Sequence, residues 1–388
     1  MKGKSNMSNI IDYVKEYGKY DFGKKHFSET DALLLSQVAY IKFKGFVPGS
    51  DDEAGSVTLS DLDIDNNLPK LLDEYWYKKQ NEELLRVMLS SVRFHDMRIN
   101  YHTDVLDESN EEQFSATTFI LNEGTVYVAF RGTDASLVGW KEDFNLAYSH
   151  PIAAQKSSVA YLEKIAACTK ADLYVGGHSK GGNLAVYSAM YCSDDVRNRI
   201  KKVYSFDGPG FRPEIKKESH YAEISSRVSK YIPASSIVGI IMEDENSYNV
   251  VDASGMGTFQ HNTYNWKING DRIARKKGRK AHYLLMDDAL NTWILGLTQD
   301  ELHAFTDTLY DVVNASGASS LYDLRDDWTA DMKKIAQAVN NLDDDTKKNI
   351  YKIVRLLFDT VHNQMKDKAI ASYLSGVDEV RNYFTLKS

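Results

Sequence analysis

One pentapeptide constrains this chain more than any other feature: Gly177-His178-Ser179-Lys180-Gly181, a G-x-S-x-G pattern. It sits between a short apolar run, Leu173–Val175, and a segment carrying Leu184, Tyr187 and Ala189 at helical spacing. A serine hydroxyl is a poor nucleophile unless a base faces its oxygen and donors meet the charge that develops. A sharp strand–turn–helix elbow meets both conditions, with small residues on either side so that strand and helix approach closely. The context predicts a buried strand, an exposed Ser179 as nucleophile and a helix from about Lys180 to Tyr191, with the Lys180 backbone N–H directed at an oxyanion.

The flanking pattern fits an α/β-hydrolase fold with a mostly parallel central sheet and helical N- and C-terminal additions. Strands are expected at Met97–His102, Phe114–Leu121, Val126–Phe130, Leu173–Val175, Lys202–Phe206 and Val228–Ile232. A helix is expected within Pro151–Lys170, where Val159, Leu162, Ile165 and Ala166 share a face. Alternation of strands with helices of this length implies βαβ crossovers. We read residues 1–90 as a helical and irregular N-terminal part, 91–295 as the hydrolase core, and 296–388 as a helical C-terminal region. The clearest C-terminal helix is Asp345–Val361, with an apolar stripe from Ile350 to Val361.

Composition excludes several classes. A net charge of −8 gives no support to nucleic-acid binding. Cys168 and Cys192 are too few for a disulfide framework and have no metal-ligand spacing, so both are expected to pack as apolar residues. The run Asp61-Leu62-Asp63-Ile64-Asp65 invites a calcium-loop reading, but Asn66 stands where glycine is needed and Leu72 where a bidentate Glu is needed; a solvated acidic turn is expected instead. The start has no signal-peptide apolar region, and the longest relevant apolar stretch, Tyr231–Met242, is too short to span a bilayer. The expectation is a cytoplasmic protein, with peripheral membrane contact left open and the basic run Arg275–Lys280 read as a solvated turn.

A second chemical piece lies at Phe130-Arg131-Gly132-Thr133-Asp134, after the strand Val126–Phe130. An early loop of this kind supplies the second oxyanion donor in this fold, assigned here to Thr133. Arg131 is expected to brace the loop against Asp143 or another acid.

Together the blocks FRGTD with a following Trp140 and Asp143, and GGHSKGGNLA (Gly176 to Ala185), resemble the class 3 lipases. The wording QFSATTFIL, SFDGPGF, IPASSIVG and QHNTYNW more closely resembles an uncharacterised bacterial family of lipase-like α/β-hydrolases. The resemblance implies the fold and serine–histidine chemistry, and names no substrate.

The fold requires the order serine, acid, histidine. His261, in Gln260-His261-Asn262, follows the last strand-like segment in a polar loop and is the expected base. The acid departs from the class 3 pattern, because Ser236-Ile237-Val238 stands where that pattern has Asp-x-Val. Asp207, at the end of the strand after the elbow helix, is the first replacement; a Ser236-assisted dyad, Asp252 and Asp244 remain alternatives. Lys180 also replaces an apolar residue, and is expected to lay its stem over the helix with its charge in water. Ile237–Met242 is expected as a buried strand. These readings point to a serine esterase acting on a small-molecule or lipid acyl ester, with no metal or organic cofactor. A thioesterase, amidase or acyltransferase on the same triad stays open, and so does a catalytically silent hydrolase-fold scaffold.

Overall fold

The computed structural model describes residues 8–49, 55–73, 77–134, 137–146, 149–244, 247–315 and 348. The predicted helix Asp345–Val361 and the acidic patch at Ser50–Glu53 therefore lie outside the described residues, apart from Lys348.

Eight strands form one sheet in chain order. They are β1 (Val57–Thr58), β2 (Arg98–Asp107), β3 (Glu112–Asn122), β4 (Thr125–Phe130), β5 (Asp172–His178), β6 (Ile200–Phe206), β7 (Val228–Pro233) and β8 (Asn249–Val251). The pairings from β1 to β4 are antiparallel, and those from β4 to β8 are parallel. The β3–β4 turn falls where Asn122-Glu123-Gly124 predicts it, and the Asn122 side chain accepts the Gly124 N–H at 2.8 Å.

Aromatic residues alternate across the sheet and gather helices on both faces. On one face, Tyr161 of the helix Ala153–Cys168 packs 6.2 and 6.0 Å from the rings of Phe114 and Phe130. On the other, Phe27 packs 5.4 and 5.1 Å from Tyr127 and Tyr174. Ser36 of the helix Glu29–Val38 completes that face with a 2.7 Å bond to the Tyr127 hydroxyl. The elbow helix is Lys180–Tyr191, as the sequence predicts. A mostly parallel sheet layered by helices, with the elbow at its centre, is the α/β-hydrolase fold.

The N-terminal part is helical, with helices Ile10–Tyr17, Glu29–Val38, Ile64–Leu71 and Lys78–Leu89. The first two open with complete capping boxes at Asn9 and Ser28. Arg93 locks them down from the interior: its guanidinium donates to both Asp31 carboxylate oxygens at 2.8 and 2.6 Å, and both side chains are fully buried. Asp61, Asp63 and Asp65 are exposed, and Asp61 accepts from the Thr58 backbone and hydroxyl.

Three sequence expectations fail here. Ile237–Met242 is not a strand: β7 stops at Pro233, Ile237 is 48% exposed, and Met242 takes a positive φ of 54°. Proline at the strand end stops the ladder before the apolar run begins, and glycine at 239 interrupts the run itself. Cys168 is exposed, while Cys192 is buried as expected, with its thiol pushed up to about 12 by burial. The run Arg275–Lys280 is no plain solvated turn. Arg279 is buried and donates to the Pro233 and Ser236 carbonyls at 2.7 and 2.9 Å. Arg275 and Lys276 pair with Glu29 and Asp252.

The chain divides into two compact units. The first comprises Met1–Asp107, Glu112–Gly132 and Ala153–Arg279 and holds the whole sheet. The second comprises Glu108–Glu111, Thr133–Ile152 and the chain from Lys280 onward. Its described part is helical (Leu137–Asn145, Ala281–Gly296 and Gln299–Ala315), and the Lys141 ammonium bridges Glu111 and Asp307 at 2.7 Å each. Among the described residues, no helix is long and apolar enough to cross a membrane.

Candidate active site

The elbow forms because its neighbours are glycines. A Cβ on Gly181 would lie 2.1 Å from the Phe130 carbonyl oxygen, and one on Gly177 would lie 2.4 Å from the backbone of Gly181. Any larger residue at either place would separate the helix from β4 and β5. Ser179 is held at φ 59°, ψ −133°, a backbone state that costs a non-glycine residue on the order of 1–3 kcal/mol. Its N–H donates to the Phe206 carbonyl of β6 at 2.9 Å.

Parallel register then brings in the acid. His178 pairs with Phe206, so the next residues of the two strands, Ser179 and Asp207, emerge side by side on one edge of the sheet. Asp207 is fully buried, and its N–H donates to Tyr231 at 2.8 Å. Its Oδ2 lies 2.7 Å from Nδ1 of His261, the last residue of the 3₁₀ turn Gly257–His261. That bond engages Nδ1 and leaves the ring's other nitrogen, Nε2, outside it. The His261 side chain is 26% exposed.

Gln260 seats this turn. Its carbonyl-side oxygen accepts the Ser235 N–H at 2.8 Å, its amide donates to Ala253 and Gly255 at 3.0 and 2.8 Å, and Trp266 donates to its backbone carbonyl at 2.8 Å. Met256, which precedes the turn, and Phe259 within it are large apolar side chains that stay exposed, as is Ile237 in the loop after β7.

The other acid candidates are elsewhere engaged. Asp252 pairs with Lys267 and Lys276 at 3.0 and 3.1 Å, and Asp244 pairs with Lys216 at 2.9 Å. Ser236 accepts the Gly239 N–H at 3.4 Å. None of the three is hydrogen-bonded to His261 among the described residues.

Lys180 contradicts its expected solvated charge. The side chain is 1% exposed, and the ammonium donates to the backbone and side-chain oxygens of Gln113 at 2.6 and 2.8 Å. The helix start turns it toward β3 instead of water, and two oxygen acceptors replace part of its hydration. Its backbone N–H belongs to the first turn of the helix, whose donors point out of the helix end.

Arg131 braces the early loop as expected, donating to Asp104 at 2.9 Å. Asp143 accepts the Thr133 hydroxyl at 2.6 Å, within the second unit.

Two neighbours of the elbow carried no signal in the sequence reading. Gly132 runs so close that an added Cβ would lie 2.9 Å from the Ser179 Cβ and 2.7 Å from the His178 carbonyl. Tyr40, following the helix Glu29–Val38, places its hydroxyl 3.0 Å from His178 Nδ1. Gly132 stands inside the FRGTD block and could have been marked from it. Nothing around Tyr40 marks it, because its partner is 138 positions away. His178 is buried, and burial pushes its pKa down to about 3, with the nearby His261 adding to the effect.

The crystal structure of M37 lipase is similar to this chain at 14% identity and a TM-score of 0.35, over 57% of this chain and 72% of that one. No curated protein matches. Neither the class 3 lipases nor a bacterial source is part of these findings. The model of the Mbeg1-like family matches residues 88–311, more than half of the chain, and the protein belongs to the Mbeg1-like family.

Proposed function

We propose that the protein is a serine hydrolase cleaving a carboxylic ester. The observation that carries this reading is the 2.7 Å bond from Asp207 to His261 Nδ1, behind an elbow that holds Ser179 at positive φ. Asp207 fixes the tautomer that leaves His261 Nε2 as the base, and its charge favours the imidazolium that forms. Ser179 Oγ attacks the acyl carbon while its proton passes to Nε2. The Lys180 backbone N–H holds the oxyanion. The alcohol leaves with the proton as the C–O bond breaks, and water, deprotonated by the same nitrogen, releases the acid.

The exposed apolar pair Met256 and Phe259 at the His261 turn favours an acyl chain or lipid ester over a small polar one. Thioesters, amides and acyl transfer to another alcohol use the same groups. A serine at position 236 motivates the scaffold reading; the carboxylate bonded to His261 supports the hydrolase instead.

Reaction with a fluorophosphonate probe tests the proposal. Labelling of the wild-type chain, lost in Ser179→Ala and reduced by orders of magnitude in His261→Ala, is the expected result. A folded wild-type chain that does not label would overturn it. A panel of ester, thioester and amide substrates then separates the chemistries.

A further inference from the structure

His178 is a buried imidazole beside the base, and its hydrogen bonds have a determinate direction. Its Nε2 lies 2.8 Å from the backbone carbonyl oxygen of His261. A carbonyl can only accept, so Nε2 carries the hydrogen. The ring is neutral, since burial and the neighbouring His261 disfavour a second proton. Nδ1 is then a bare acceptor, and the Tyr40 hydroxyl, 3.0 Å away, donates to it. The opposite tautomer would aim a lone pair at the lone pairs of the His261 carbonyl. The phenol therefore selects the tautomer that holds the carbonyl. The two imidazoles also pack against each other in a tilted arrangement, with centroids 4.4 Å apart and planes 39° apart.

His261 ends the five-residue 3₁₀ turn that Gln260 seats, and its own carbonyl is held by His178. Asp207 holds one ring nitrogen; nothing in that bond fixes the backbone the ring hangs from. We propose that Tyr40 and His178 are positioning residues for His261, a hydrogen-bond chain from the N-terminal helices that anchors its carbonyl and the face of its ring. The inference rests on the proposed hydrolase reading. It assigns a place in the site to Tyr40, which lies before the family-matched residues 88–311.

The test uses the full-length protein and fluorophosphonate labelling rates across pH, with Ser179→Ala as blank. His178→Phe, which keeps a ring but no donor, is expected to label about 100-fold more slowly, the scale of an ångström-sized misplacement of a reacting group. Tyr40→Phe is expected to lose about tenfold, what one net hydrogen bond is worth. His178→Gln, whose amide N–H can still reach the His261 carbonyl, is expected to recover most of the rate. The downfield proton resonance of His261 Nδ1–H, identified by its loss in Asp207→Asn, should move or broaden in His178→Phe. Wild-type rates and an unmoved resonance in both His178→Phe and Tyr40→Phe would overturn the positioning role while leaving the hydrolase intact. So would equal losses in His178→Phe and His178→Gln alongside equally lowered unfolding midpoints, which would mark a packing role. An unlabelled wild-type chain would instead sink the hydrolase reading itself, and the positioning role with it.

Discussion

At the scale of single residues, Asp207 has two oxygens in different circumstances. Oδ2 meets His261, whereas Oδ1 is buried and has no hydrogen-bond partner among the described residues. Oδ1 faces the backbone at Gly239, where an added Cβ would lie 2.3 Å away. Glycine at 239 is therefore a condition for the carboxylate to stay where it is. Gly239→Ala should displace Asp207, cost about 1–3 kcal/mol in urea unfolding through overpacking, and slow probe labelling by more than that loss of folded protein explains. Asp207→Asn keeps the shape but removes the charge and lets the ring adopt the wrong tautomer. It should slow labelling by about 10³- to 10⁴-fold with an unchanged unfolding midpoint. A rate within a few-fold of wild type would show that Asp207 is not the acid.

At the scale of elements, the site depends on how closely the elbow helix approaches β4 and β5. Gly181→Ala would drive a methyl to 2.1 Å from the Phe130 carbonyl, a backbone atom that cannot swing aside. The expected outcome is a loss of several kcal/mol in chemical denaturation, or no soluble fold, in contrast to alanine at exposed Gly278, where an added Cβ meets nothing within 4 Å. The N-terminal helices depend on Arg93 and Asp31, both fully buried. Removing one partner strands a charge in the interior, so Arg93→Met should destabilise by about 3–5 kcal/mol. The double variant Arg93→Met/Asp31→Leu should recover part of that, measured as a coupling in a double-mutant cycle. Additive losses would mean that the bonds Arg93 donates to the Tyr20, Asp21, Lys25 and His26 carbonyls matter more than the ion pair.

At the scale of the whole molecule, two buried imidazoles link stability to pH. Burial lowers His102 to about 4 and His178 to about 3, against 6.5 for an ordinary histidine. Between pH 6.5 and 4 the unfolded chain takes up protons at these positions that the folded chain refuses, so stability falls as pH falls through that window. The slope is up to about 1.4 kcal/mol per pH unit for each ring. Urea midpoints followed from pH 7 to pH 4 should decline, and His102→Gln should flatten part of the decline. Equal pH dependence in that variant would count against the linkage. Much of this molecule was legible beforehand: the elbow, the turn at Asn122–Gly124, the order of strands and helices, and His261 as the histidine that meets an acid. These are local matters, because hydrophobic period, glycine placement and turn chemistry act within a dozen residues. The sequence by itself could not choose among Asp207, Ser236, Asp252 and Asp244, nor foresee that Lys180 turns inward or that Tyr40 reaches the elbow. Those outcomes depend on which strand ends share an edge and which loops cross it. A carboxylate 54 positions from its histidine and a phenol 138 positions from its imidazole are joined only when the sheet closes its register, and no local pattern records that.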